Sequence, residues 1–200
     1  INVLIYMCLG LGLNAVIGLA GMLDLGYIAF YGVGAYTYAL LNVHFGIPFW
    51  LCLPVAAISA MIIACFVGYP TLRMRGDYLA IVTLGFGEII RIILNNWMDL
   101  TNGPNGIMGI DRPGIYFPSF AGGFSWEHLW LKKLWLLYYV ALGLAIITII
   151  GIHRLNFSRV GRAWESIRED ETAAELMGVN TFLYKLLAYA MGGVFAGIAG

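Results

Sequence analysis

The chain has 200 residues, 61% hydrophobic and 11% charged, with 11 basic and 11 acidic side chains and a formal net charge of zero. An average soluble domain carries about 25% charged residues, so this composition excludes an ordinary soluble enzyme, and the neutral balance removes the electrostatic case for nucleic acid. Several charge-free runs of 18 or more residues are long enough to cross about 30 Å of hydrocarbon as helices, which indicates an all-α, polytopic transmembrane helical bundle with about six spans.

Residues 1–21 form the first apolar helix. Asp24 follows, and residues 25–43 are again free of charge. Two readings stand. Two full spans turn at Asp24, or a helix breaks near the membrane midplane, since Gly18, Gly21 and Gly26 surround Asp24 and glycine tolerates the backbone of a break. In transporters such breaks turn freed backbone groups toward substrate, so Gly21, Asp24 and Gly26 are candidates for a translocation pathway. Gly32 and Gly34 are explained as well by close helix packing. Residues 49–69 make the next span, opened at Pro48 and ended at Pro70, and Arg73, Arg75 and Asp77 form a short charged loop.

Residues 78–98 carry Thr83, Glu88, Arg91, Asn95 and Asn96 within an otherwise apolar helix. Glu88, Arg91 and Asn95 are spaced i, i+3, i+7 and share a face, with Glu88 about 15 Å in from Tyr78. An ionised side chain at that depth needs a partner or a wet cavity, and Arg91 is near enough to pair with it. The pair either orients this helix against its neighbours as a buried ion pair, or lines the path. Thr83, Glu88, Arg91 and Asn95 join the candidate pathway residues.

Residues 99–124 are rich in Gly and Pro, and Thr101–Gly106 cannot continue a helix. Trp126, Trp130 and Trp135, with Lys132 and Lys133, suit an interfacial aromatic belt with snorkelling lysines. Residues 135–152 and 182–200 are two further spans. The last has close-packing positions at Gly192, Gly193, Ala196, Gly197 and Gly200, and Lys185 near its start is expected to snorkel to the interface. Cys8, Cys52 and Cys65 fall inside spans without ligand-like spacing and read as packing residues, so no metal site is expected. The chain begins and ends within apolar runs, so residues 1–200 read as one membrane domain truncated at both ends.

Residues 154–178 are different. Arg154, Arg159, Arg162, Glu165, Arg168, Glu169, Asp170, Glu171 and Glu175 fall within them, and such a segment lies in water between two spans. Val160, Trp164 and Ile167 recur at i, i+4 and i+7, one helical face. Asp170 is placed to cap a second short helix, in which Ala173, Leu176 and Met177 share a face, and Gly178 ends it. Ala173 and Ala174 would let another protein approach the backbone closely. A pair of helices resting on the bilayer and a docking loop are equally consistent with these residues.

Gly161–Glu171, followed by Ala173-Ala174 and Gly178-Val179-Asn180, resembles the cytoplasmic coupling loop of bacterial ABC importer permeases. Together with Gly76–Arg91 it resembles, more closely, the branched-chain amino acid permeases of the LivM type, and the likeness covers nearly the whole chain. The general importer pattern is Glu-Ala-Ala, three residues, then Gly. Here Thr172 stands where Glu is expected and the acid is one place earlier, at Glu171. The resemblance implies that residues 153–180 dock onto an ATP-binding subunit, with Arg162, Glu165, Arg168, Glu169, Asp170, Glu171, Ala173, Ala174 and Gly178 as coupling residues. It implies a second, LivH-like permease subunit, a periplasmic solute-binding protein, and ATP with magnesium on the partner, with no cofactor bound directly. Gly21–Tyr36 resembles a Gly-rich segment shared by amino acid and sugar permeases.

Arg73 and Arg75 are expected on the same side as Arg154, Arg159, Arg162 and Arg168, with Arg112, Lys132 and Lys133 opposite. Positive charge marks the cytoplasm, which puts loop 153–180 inside and loop 99–132 outside a bacterial inner membrane. No Gly-x-x-x-x-Gly-Lys-Ser/Thr motif occurs, and no catalytic residues are assigned. The function that the resemblance implies is a permease subunit of an ATP-driven importer for leucine, isoleucine and valine. Competing readings are a related importer for urea, amides or sugars, an intramembrane enzyme, and an ion-coupled carrier using Glu88.

Overall fold

Apolar segments in lipid must satisfy their backbone internally, so they form helices. The computed structural model describes residues 1–74, 77–110, 114–119, 125–130 and 134–200. Six long helices appear where the apolar runs lie. α1 (Asn2–Asn14) continues into a π-helical turn, Ala15–Leu19. α2 spans Ile28–Phe45, α3 Phe49–Thr71 and α4 Asp77–Asn96. A short α5 (Met98–Thr101) and a 3-10 turn, Gly103–Asn105, follow. After a hairpin come α6 (Leu134–Asn156), α7 (Arg159–Glu169), α8 (Glu171–Leu176) and α9 (Thr181–Ala199). Among the described residues, five helices are long and apolar enough to cross a membrane, and α2 is the sixth long helix at 18 residues.

The hairpin is a difference from expectation. Residues 99–124 read as an irregular Gly/Pro-rich loop, but β1 (Gly114–Ser119) pairs antiparallel with β2 (Ser125–Trp130), Gly114 opposite Trp130 and Ser119 opposite Ser125. Trp126 and Trp130 therefore stand on a strand. Arg75, Gly76, Arg112, Lys132 and Lys133 lie outside the described residues.

α9 is the centre of the bundle, packed against α1, α2 and α3. Its small residues make that possible, because in lipid helices associate through close backbone packing rather than a hydrophobic drive. A Cβ on Gly193 would stand 2.7 Å from the Ala64 Cβ, and one on Gly197 2.7 Å from the Ala56 carbonyl of α3. Gly34 of α2 packs on the Gly197 Cα, whereas a Cβ on Gly32 would find only ordinary contact with Leu94. The close-packing reading thus holds for Gly34 and not for Gly32. The Tyr27 hydroxyl donates to the Gly192 carbonyl at 3.0 Å, and the Phe30 and Tyr189 rings meet edge to face.

The segment between α1 and α2 starts near one end of the bundle. Asp24 and Gly26 sit beside Val67, one turn from the end of α3, and Thr83, in the second turn of α4. Gly26 also packs on Gly87, midway along α4, so the segment starts at the bundle end, where Gly21 meets Arg168, and reaches the middle of α4. Met74, after α3, shares a cavity with Ile167 and Arg168 of α7, so the two basic loops lie at the same end.

Candidate functional site: a helical loop, a buried turn and an ionic stripe

The loop after α6 is built from its inner face outward. Ser158 caps α7, its side chain accepting from the Gly161 amide at 3.2 Å. Trp164 is fully buried, and its Nε1 donates to the Tyr184 carbonyl of α9 at 2.7 Å. Ile167 is buried beside it and Val160 packs on the same core. This is the face expected from the i, i+4, i+7 spacing. Asp170 breaks the helix with an extended backbone and caps α8, accepting from the Thr172 amide at 2.9 Å and the Ala173 amide at 3.1 Å. The Thr172 hydroxyl, then these amides, hold its carboxyl below the usual carboxylate range. Gly178 ends the unit at φ 85°, a left-handed conformation that favours glycine.

Two ion-assisted contacts fasten α8 to α9. Lys185 Nζ pairs with Glu171 Oε1 at 2.6 Å, and the Thr181 hydroxyl donates to Glu175 Oε1 at 2.6 Å. Lys185, in the second turn of α9, thereby holds α8 in place. Arg162, Glu165, Glu169, Asp170, Ala173 and Gly178 are exposed. Ala174 is not. It is 4% exposed and faces its own chain, so the expectation that it offers a small-residue surface to a partner is corrected. The outward tip is apolar: Leu176 is 88% exposed and Met177 86%. Neither was singled out as a coupling residue, although two large apolar side chains in a polar loop were visible in the sequence.

Arg168 is exposed as well, and its guanidinium reaches back to its own chain. Its Nη1 donates to the Gly18 carbonyl at 2.7 Å, across 150 residues of sequence. Gly21, at φ 70°, lies against it, and a Cβ there would stand 2.6 Å from the Arg168 Cγ.

Of the expected pathway residues, Gly21 lies at Arg168 and the other six fall into two groups. Asp24, Gly26 and Thr83 come together in the interior. Asp24 is 3% exposed; its Oδ1 accepts from the Gly26 amide at 2.9 Å, while Oδ2 has no hydrogen-bond partner among the described residues. The Leu25 amide donates to the Thr83 hydroxyl at 3.2 Å. Gly26 has no room for a side chain, because a Cβ would run into the Thr83 carbonyl. Glu88, Arg91 and Asn95 occupy an open face of α4. Arg91 Nε donates to Glu88 Oε2 at 2.9 Å, and the two side chains are 65% and 50% exposed. The pair therefore exists but does not hold α4 against another helix of the described chain. Ile81, Leu84, Ile89 and Ile92 flank it, all exposed. Such a stripe within a span requires a protein or aqueous neighbour. Among the described residues no three His, Cys, Asp or Glu side chains gather as a metal site.

Comparison with known proteins places this arrangement. The family model described as "Branched-chain amino acid transport system / permease component" matches residues 1–200. The chain is 46% identical to the high-affinity branched-chain amino acid transport system permease protein LivM of Escherichia coli (strain K12), over 98% of this chain and 49% of that protein. It is 26% identical to the permease protein LivH of Salmonella typhimurium, over 98% of this chain and 65% of that protein. A probable branched-chain amino acid transport permease protein LivM of Methanocaldococcus jannaschii is 23% identical over 92% of this chain and 54% of that protein. No solved structure matches. The chain spans about half the length of the LivM proteins it matches. With the family model matched from end to end and this identity to LivM, the chain belongs to the permease component family of branched-chain amino acid transport systems.

Proposed function

We propose that this chain is part of a permease subunit that imports leucine, isoleucine and valine across a bacterial inner membrane at the expense of ATP hydrolysed by a partner. The observation that carries the reading is the exposed Leu176–Met177 tip at the end of a firmly anchored polar loop. Large apolar side chains held out on a rigid support fit the groove of a partner protein as anchors. The partner is an ABC ATP-binding subunit, with ATP and magnesium bound there. The loop 153–180 faces the cytoplasm, and residues 99–132 face a periplasmic solute-binding protein.

The second element is α4. Its stripe of Glu88, Arg91 and Asn95 is left open by this chain. A second, LivH-like permease subunit opposite it would enclose the stripe and leave a polar path between the two chains. Movement of the ATP-binding subunits, received at the α8 tip, would shift the helices as rigid bodies and switch that path between its two openings.

The test uses the complete transporter in vesicles. ATP-driven uptake of labelled leucine should be competed by unlabelled leucine, isoleucine and valine, and not by urea, amides or sugars. Competition by one of those solutes instead would assign the permease to that importer class.

A further inference from the structure

We propose that Arg168 is a positioning residue that carries movement of the coupling helices into the turn between α1 and α2, and through it to α4. The proposal rests on the importer reading above and adds where the movement goes once the loop has received it.

α8 is fastened to α9 through Glu171–Lys185, and α7 through Trp164 and the Tyr184 carbonyl. Those contacts reach α9. Arg168 makes the separate connection. Its guanidinium caps a carbonyl in the π-helical turn that ends α1, where helix carbonyls lack intrahelical partners and a cation is favoured by the dipole. Beside that bond, Gly21 brings the backbone of the turn against the last turn of α7, with its would-be Cβ 3.3 Å from the Arg168 Cα. Only glycine fits both the contact and the φ of 70°. A cavity of about 340 Å³ next to it, lined by Met22, Met74, Asp170 and Lys185 among others, leaves the rest of this junction loosely filled. Arg168 thus joins α7 to this turn through its hydrogen bond to Gly18 and its close approach to Gly21.

The far end of the same turn is locked to α4. The Leu25 amide is held by Thr83, and Gly26 lies against the backbone of Thr83 and Gly87. Glu88 is the next residue after Gly87, and its partner Arg91 stands one turn beyond it. A short rigid segment thus joins the coupling helices at one end and the helix with the ionic stripe at the other. Arg168 acts inside the chain and does not dock the partner.

The experiment measures leucine uptake and ATP hydrolysis in the same vesicles, with the complete transporter, for wild type, Arg168→Ala, Arg168→Lys and Gly21→Ala. Gly21→Ala pushes the contact apart from the other side and is independent of Arg168 chemistry. ATP hydrolysis and co-purification of the ATP-binding subunit should persist in all variants. Leucine moved per ATP should fall roughly three- to thirty-fold in Arg168→Ala and Gly21→Ala, the range of coupling changes, with partial recovery in Arg168→Lys. Unchanged leucine per ATP in both of those variants would overturn the proposal. Loss of the ATP-binding subunit from Arg168→Ala would also overturn it, by making Arg168 a docking residue. Wild-type vesicles with no ATP-driven leucine uptake would remove the importer reading itself, and the proposal with it.

Discussion

The Thr83 hydroxyl takes part in two hydrogen bonds, accepting from the Leu25 amide at 3.2 Å and donating to the Ala80 carbonyl at 3.0 Å. It is 1% exposed, so no water substitutes for it. Thr83→Val keeps the shape and leaves the Leu25 amide unpaired. The bond is part-buried, and a donor left unpaired there costs about 1 kcal/mol. Thermal unfolding of the purified permease should show Thr83→Val destabilised and Thr83→Ser near wild type.

The anchoring of the loop predicts a second result. Trp164 is fully buried and bonded to α9. Trp164→Ala should cost about 3–5 kcal/mol locally and release α7 and α8 while the spans remain inserted. Hydrogen exchange is expected to rise across residues 159–177 and stay low in α3 and α9. Uniform protection in the variant would mean that the loop is held by contacts other than Trp164.

Close packing at the bundle centre gives a third. Gly197 approaches the Ala56 carbonyl and the Ala57 Cα of α3. Gly197→Val forces the helices apart, and overpacking of this kind costs about 1–3 kcal/mol. Gly143, with nothing within 4 Å, is the matched control, since Gly143→Ala meets open space. Expression of folded protein should drop for the first and not for the second.

The ionic stripe separates stability from transport. The Glu88–Arg91 pair has no hydrogen-bond or ionic partner on another helix among the described residues, so Glu88→Gln should leave the thermal midpoint of this permease unchanged. If the stripe lines the path, the same change lowers leucine uptake, and the swap Glu88→Arg with Arg91→Glu recovers part of it. A lowered midpoint with normal uptake would assign the pair to structure alone.

Much of this was legible in the sequence because its causes are local. Apolar length gives the six long helices, and Asp170 and Gly178 mark the ends of α8 through backbone chemistry that needs no tertiary context. The inner face of α7 was legible from the spacing of Val160, Trp164 and Ile167. α8 was less so. It has six residues, too few for a periodic pattern to say which side faces the bundle, and Ala174 proved to face inward. The approach of Arg168 to Gly18 leaves no spacing signal at all, because the partners are 150 residues apart. The meeting of Asp24 and Gly26 with Thr83 was hidden for the same reason. All three were singled out as polar or glycine positions within apolar surroundings, but nothing along the chain brings them together.

The central claim is that this permease works only through an ATP-hydrolysing partner docked at the α8 tip. Its most direct test is labelled leucine uptake into vesicles holding the complete transporter, with and without ATP and with the membrane potential collapsed, for wild type and for Leu176→Asp with Met177→Asp. Uptake that requires ATP, survives loss of the potential and is abolished in the double variant, which still inserts, is the predicted result. Uptake that proceeds without ATP and disappears with the potential would contradict it, and would make the chain an ion-coupled carrier with Glu88 as the first residue to titrate.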